Sequence, residues 1–222
     1  MTLNHEIEFF LSKFSHELRN PLTSVYSTLQ LIQMQHPEVK DFKYWSSLIG
    51  DVEYMNALLD ELSDYSKSER LSTTTFSLHS LLSQVSLSFA ASIADSDVEY
   101  TSKIPASLPQ ITGDKTKLQE VFWNLLKNAY DAASPNRTIY LEAASNEHEV
   151  WITIRDTGCG ISKEHLSTIF EPFVTYKKEG TGLGLAICDH IVKAHGGSIT
   201  VDSTVQLGTT FRVTLPISIH SL

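Results

Sequence analysis

Apolar residues in the first third of the chain recur at steps of three and four. Ile7, Phe10, Leu11, Phe14, Leu18, Leu22, Val25, Leu29 and Ile32 follow one stripe, which predicts a long amphipathic helix from residue 5 to about residue 33. Gln33-Met-Gln-His-Pro-Glu38 interrupts the pattern at Pro37 and reads as a connector. A second helix is expected from about Asp41 to Tyr65, where Trp45, Leu48, Val52, Met55, Leu59 and Leu62 keep a heptad-like spacing. An isolated hairpin cannot bury two such stripes, whereas two hairpins paired into a four-helix bundle can. Residues 5–68 are therefore expected to form a homodimer. The alternative is that both helices pack on the second half of the same chain.

Ser66-Lys-Ser-Glu-Arg-Leu-Ser-Thr-Thr-Thr75 is polar and aperiodic, and reads as a linker. After it the pattern mixes both periods. Helices are expected from Leu78 to about Ala91, from Lys115 to Ala133 and from Gly182 to His195. Strands are expected at Val98–Ser102, Thr138–Ala144, Val150–Arg155, Ser198–Asp202 and Thr209–Leu215. Helices on one side of a sheet give a two-layer α/β sandwich. The whole chain is then α+β, with a helical hairpin over residues 1–70 and a sandwich over residues 71–222.

Composition narrows the partners. A formal charge of −9 over 222 residues argues against a nucleic-acid binder. Cys159 and Cys188, far apart and outside any Cys/His cluster, fit a reducing compartment and argue against structural zinc. No apolar run approaches the ~20 residues needed to cross a bilayer, and the first residues lack the pattern of a signal peptide. The chain reads as cytoplasmic, either soluble in its own right or the cytoplasmic portion of a longer membrane-bound parent.

Five stretches carry candidate chemistry. In Phe14-Ser-His-Glu-Leu-Arg-Asn-Pro-Leu22, His16 and Asn20 lie off the apolar stripe and, four apart, share one helical face, with Glu17 turned to the side. Pro21 leaves the carbonyl of Glu17 without its helical partner, which loosens or bends the helix there. By itself such a histidine is most often a plain surface residue. In the helix 114–133, Asn124, Lys127, Asn128 and Asp131 form a polar stripe apart from Leu118, Phe122, Leu125, Ala129 and Ala132. Amide oxygens and a lysine suit hydrated Mg²⁺ and a polyphosphate, although a solvated helix face looks the same. Arg155-Asp-Thr-Gly-Cys-Gly-Ile161 ends a strand in a tight turn, where Asp156 could accept from an exocyclic amine such as that of adenine. Phe170-Glu-Pro-Phe173 could anchor a loop or simply be core. Lys177-Lys-Glu-Gly-Thr-Gly-Leu-Gly-Leu185 opens a helix with glycines that let phosphate approach backbone. It has neither the Rossmann spacing nor the Gly-Lys-Ser/Thr of a P-loop.

Taken in order, the last four stretches resemble the N, G1, F and G2 boxes of the GHKL-type (Bergerat) ATPase domain of sensor histidine kinases. The first resembles their H box, within a dimerisation and phosphotransfer domain. The resemblance covers the chain from about Phe10 to Pro216, and implies a kinase that uses Mg·ATP. His16 would be the phosphoacceptor, Glu17 would orient its ring or take its proton, and Asn20 with Glu17 would match the family's phosphatase motif. Asn124, Lys127 and Asn128 would bind phosphates and Mg²⁺, with Asn128 most directly on the metal. Asp156 would read the adenine amine. Gly158, Gly160, Gly180, Gly182 and Gly184, with Thr181 and Leu183 between the last three, would shape the pocket and its lid. Phe170 and Phe173 would sit in the lid, and Lys177 would reach toward the phosphates. The implied partner is a response regulator that receives phosphate on an aspartate. Two other readings share parts of this pattern: an ATP-independent histidine phosphotransferase or scaffold, and a GHKL serine kinase or ATPase.

Overall fold

A computed structural model describes residues 3–133, 137–177 and 180–217, with the side chains of residues 3–12 and of His16 outside the description. The chain divides into two compact units, Met1–Lys67 and Ser68–Leu222.

The first unit is a hairpin of α1 (Leu3–Gln35) and α2 (Trp45–Lys67), joined through a 3-10 turn over Pro37–Asp41. Helix α1 runs through Pro21 without interruption. Polar staples at heptad steps fix the register of the two helices. Arg19 donates to Asp60 and to the carbonyl of Leu59, Tyr26 donates to Glu53 at 2.8 Å, and Trp45 Nε1 donates to Gln33 at 3.0 Å. Their apolar counterpart is thin. Val52 and Leu59 of α2 are buried, while Phe14, Leu18, Val25, Leu48 and Met55 remain exposed. Among the described residues no helix is long and apolar enough to cross a membrane.

The second unit is built on a five-stranded sheet in the order β2 (Glu99–Lys103), β4 (Thr138–Ser145), β5 (Glu149–Asp156), β7 (Gly208–Pro216), β6 (Ser198–Thr204). Only β2 and β4 are parallel; the other pairs are antiparallel. A separate two-stranded sheet pairs β1 (Thr74–Ser77) with β3 (Gln110–Gly113). Alternation along β5 buries Val150, Ile152 and Ile154. Against that face lie α3 (Leu78–Ser92), α4 (Lys115–Ala132) and α6 (Gly184–Ala194), whose stripes include the fully buried Leu81, Leu82, Phe122, Leu125 and Ala186. A one-turn helix, α5 (Lys163–Leu166), precedes the lid segment. Caps start two of the helices: Ser77 accepts from Ser80 N–H for α3, and Asp114 accepts from Lys117 N–H for α4. Each such cap contributes about 1 kcal/mol.

The expected strands and long helices are present within a few residues. The differences lie at the joints. The linker is shorter than Ser66–Thr75, because α2 continues to Lys67 and β1 begins at Thr74. Its remainder is bound to the second unit. Lys117 Nζ donates to the carbonyls of Ser68 and Arg70, and Ser72 N–H donates to Asp114 at 2.8 Å. Helix α6 starts at Gly184 rather than Gly182, because Gly182 has φ of +75° and cannot be a helical residue.

Candidate functional site

On α1 the site residues are in helical backbone. Asn20, Glu17 and Pro21 are exposed. Lys13 Nζ approaches Glu17 at 3.9 Å, one turn earlier and in full solvent, a pair that contributes little. The expected role of His16 falls on a side chain outside the described residues.

In the second unit, α4 carries the polar stripe. Its apolar residues Leu118, Phe122, Leu125 and Ala129 are buried, which turns Asn124, Lys127, Asn128 and Asp131 to the other side. Asn124 is half-buried beside the Cys188 thiol, which donates to the carbonyl of Val121 and which burial drives far above its ordinary pKa. Lys127 is exposed. Asn128 and Asp131 converge on one cation. The Lys177 ammonium donates to Asn128 Oδ1 at 2.7 Å and to Asp131 Oδ2 at 2.9 Å. The Asn128 amide oxygen, already placed to hold a positive charge, is a hard neutral ligand that suits Mg²⁺.

The turn after β5 is tied to its surroundings through Thr157, Cys159 and Ile161, whose N–H groups donate to Thr138, Ala132 and Ser203. Asp156 is buried, and its Oδ1 accepts from Gly158 N–H at 2.8 Å and from Thr209 N–H at 3.2 Å. Burial raises its pKa, and those two donors oppose the rise. Both neighbouring N–H groups fall on the same oxygen, so the carboxylate is held in orientation by one edge. Gly158 and Gly160 are needed for a reason other than ligand approach. A Cβ on Gly158 would stand 2.3 Å from the carbonyl oxygen of Ala132, and one on Gly160 2.2 Å from that of Thr204. The turn is thus wedged between the end of α4 and the β6–β7 hairpin. The Ser203 hydroxyl closes the wedge by accepting from Ile161 N–H at 2.8 Å. A cleft of about 140 Å³ at these strand ends is lined by Asp156, Thr157, Ser203 and Gly208 among others.

Residues 170–177 and 180–184 form the remaining wall. Phe170 packs edge-on against Phe211, with ring centroids 6.4 Å apart, but Phe173 is exposed. Only one of the two phenylalanines is an anchor. Phe173 has a positive φ of 65°, an uncommon geometry for a bulky residue, held by its N–H to the carbonyl of Gly182. Tyr176 stacks on His165 at 3.4 Å and shares a 2.9 Å hydrogen bond with Thr168. Thr181 Oγ1 accepts from Leu183 N–H at 3.3 Å, and Leu183 is buried under the start of α6. A Cβ on Gly180 would crowd the Thr175 side chain. At Gly184 the space is open: nothing lies within 4 Å of where a Cβ would be. That gap is at the N-terminus of an eleven-residue helix, where backbone N–H groups favour phosphate. The Asp156 carboxylate, the Asn128 amide oxygen and the open helix end together fit a magnesium nucleotide.

Three contributors carry no role in the sequence reading. Thr209, whose N–H holds Asp156, has no local signal, because it arrives from a strand 53 residues away. His165 and Tyr176 are ordinary in sequence and meet only through the fold. Asp131 is visible as the last member of the polar stripe, but spacing alone does not reveal its lysine partner.

The comparisons with known proteins agree with this geometry. Residues 113–219 match the family model of histidine kinase-, DNA gyrase B-, and HSP90-like ATPases, and residues 6–71 match the His Kinase A (phospho-acceptor) domain. Sporulation kinase C of Bacillus subtilis (strain 168) is 33% identical over 93% of this chain, which spans 48% of that relative. The structure of full-length ShkA in complex with AMPPNP superposes with a TM-score of 0.81 at 24% identity, covering 96% of this chain and 46% of that one, and so shares the fold. Histidine kinase ThkA, solved in complex with response regulator protein TrrA, matches at 27% identity and a TM-score of 0.66, over 92% of this chain and 60% of that one. The chain belongs to the sensor histidine kinases of two-component systems and comprises their catalytic core.

Proposed function

We propose that this chain transfers the γ-phosphoryl group of ATP to His16, and from His16 to an aspartate of a response regulator. In this reading residues 1–70 are the dimerisation and phosphotransfer domain, and residues 71–222 the ATP-binding domain. The observation that carries it is the meeting of Lys177 with Asn128, 49 residues apart, at 2.7 Å. It unites the glycine-run segment with the amide stripe, as one polyphosphate site requires.

The bound Mg·ATP supplies the phosphoryl group and the metal charge that offsets its oxygens. The protein supplies positioning and charge, which is most of what phosphoryl transfer needs. Asp156 accepts from the adenine amine. Asn128 gives its amide oxygen to the metal, with Asn124 and Lys127 on the same stripe toward the phosphates. The open N-terminus of α6 at Gly184 and the Lys177 ammonium receive phosphate oxygens. Neutral imidazole is a competent nucleophile near pH 7, its ordinary pKa being about 6.5. A ring nitrogen of His16 forms the N–P bond as the bond to the leaving ADP oxygen breaks. Glu17 orients the ring or takes the proton that the other nitrogen gives up.

His16→Ala tests the reading. With radiolabelled ATP and Mg²⁺, the wild-type chain should gain phosphate that is lost in acid and kept in base. The variant should gain none while still binding nucleotide. Substantial acid-labile phosphate on the variant would remove His16 from the reaction, and acid-stable phosphate on the wild type would favour a serine kinase.

A further inference from the structure

The Asp131 carboxylate has no part in the function proposed above, yet it makes half of the polar contact that closes the site. Its Oδ2 accepts from Lys177 Nζ at 2.9 Å while Asn128 Oδ1 accepts from the same ammonium at 2.7 Å. Asn128 and Asp131 stand three apart on α4, so their oxygens project from one face. The chain that delivers the lysine is pinned one residue earlier, by the stacking of Tyr176 on His165 and its hydroxyl contact with Thr168. The Lys177 backbone is held as well, its N–H donating to Thr175 Oγ1 at 3.2 Å. What remains free to move is the four-carbon stem of the lysine, swinging from a fixed base.

We propose that Asp131 is a latch residue: it holds the Lys177 ammonium on the amide oxygen that Mg²⁺ needs, so that nucleotide binding exchanges one cation for another at Asn128. The inference rests on the ATP-site reading. An ammonium and a divalent metal cannot share one amide oxygen without strong mutual repulsion, so the lysine must leave as the metal arrives. A triphosphate gives it a better anion. The neutral amide alone would hold an ammonium weakly, and Asp131 supplies the charge that keeps it there. Lys177 and Asp131 side chains are 46% and 40% exposed, so their pair is of the weak, readily exchanged kind. Latched molecules are not competent to bind the metal nucleotide, and the apparent dissociation constant rises in inverse proportion to the unlatched fraction. Asp131 therefore tunes nucleotide affinity through Lys177 without touching nucleotide.

The test is Mg²⁺-dependent binding of a fluorescent ATP analogue to the full chain, for wild type, Asp131→Asn, Lys177→Met and the double variant. Amide exchange of the nucleotide-free proteins is measured alongside. Asp131→Asn should tighten binding about two- to fivefold, the range an exposed ion pair can supply. In the Lys177→Met background the same substitution should change nothing. Without nucleotide, exchange at the Lys177 amide should match the wild type in Asp131→Asn, because Thr175 and Tyr176 hold that backbone independently of Asp131, and faster exchange there would overturn the fixed base on which the latch depends. A carboxylate that merely repels phosphate would tighten binding equally in both backgrounds when removed. A carboxylate that ligates Mg²⁺ would weaken binding when removed. Either result overturns the latch, as does unchanged affinity in Asp131→Asn. A wild-type chain that binds no analogue would instead overturn the ATP-site reading itself.

Discussion

Asn20 stands one helical turn beyond His16, on the same face of α1 and open to solvent. An amide there can position a water against the phosphoaspartate of a docked regulator without contacting ATP. Asn20→Ala is therefore expected to slow dephosphorylation of a phosphorylated regulator by roughly 10²-fold, the cost of a misplaced reactant, while most autophosphorylation survives. The measurement is the decay rate of purified phospho-regulator with each protein, in Mg²⁺ and ADP. Equal rates would leave Asn20 as a residue that only eases the passage into Pro21. Single residues also show where sequence pattern misleads. Gly158 and Gly160 look like openings for a ligand, but their missing side chains make room for the protein's own carbonyls at Ala132 and Thr204. Gly184, with nothing within 4 Å, is the one of these that leaves space at a helix end.

Between elements, the contact that most clearly joins the helical layer is His195, at the end of α6. It is buried, its Nε2 accepts from Asp114 N–H at 2.8 Å, and its Nδ1 donates to the carbonyl of Ile191 at 2.7 Å. This ties α6 to the cap of α4, and the two bonds require the neutral ring. Burial lowers its pKa. The Ile191 carbonyl and the Asp114 carboxylate oppose that shift, and Lys117 adds to it. A histidine whose folded pKa lies below the unfolded value of about 6.5 stabilises the fold fully above that value. The contribution is lost as pH falls through the folded pKa. Thermal midpoints of the full chain should therefore decline below about pH 6.5, and His195→Gln, which keeps an acceptor but cannot titrate, should flatten that decline. Asp114 titrates in a separate window: burial would raise its pKa, but N–H donation from Ser72 and Lys117 leaves it lowered, so its loss comes at more acid pH. An identical pH slope in the two proteins would exclude His195 as its source. This joint was not legible in the chain, because His195 and Asp114 are 81 residues apart and neither breaks a local pattern. The elements it joins were legible, since α4 and α6 carry strong 3.6-residue stripes. The strands β1 and β3 were not, being four residues each with little apolar alternation.

At the scale of the molecule, the hairpin is the incomplete part. On α2 the heptad has two columns, and they differ. Val52 is 2% exposed and Leu59 8%, facing α1, whereas Leu48 is 44% and Met55 43% exposed. On α1, Phe14, Leu18 and Val25 are likewise open. A second copy would cover these columns and complete a four-helix bundle, which is the homodimer expected over residues 5–68. Each leucine or methionine fully buried there would contribute about 1.5–3 kcal/mol. A buried, unpaired carboxylate in its place would cost several kcal/mol, and the two-fold axis doubles every substitution. Leu48→Glu with Met55→Glu thus sets four carboxylates into one interface, and the penalty exceeds what the remaining apolar contacts supply. Both residues lie on the open column, so the hairpin's own contacts at Val52 and Leu59 survive. The double variant should sediment as a monomer with its helical circular dichroism retained, while the wild-type chain sediments as a dimer. A variant that still sediments as a dimer would move the interface away from this column, and a wild-type monomer would remove it.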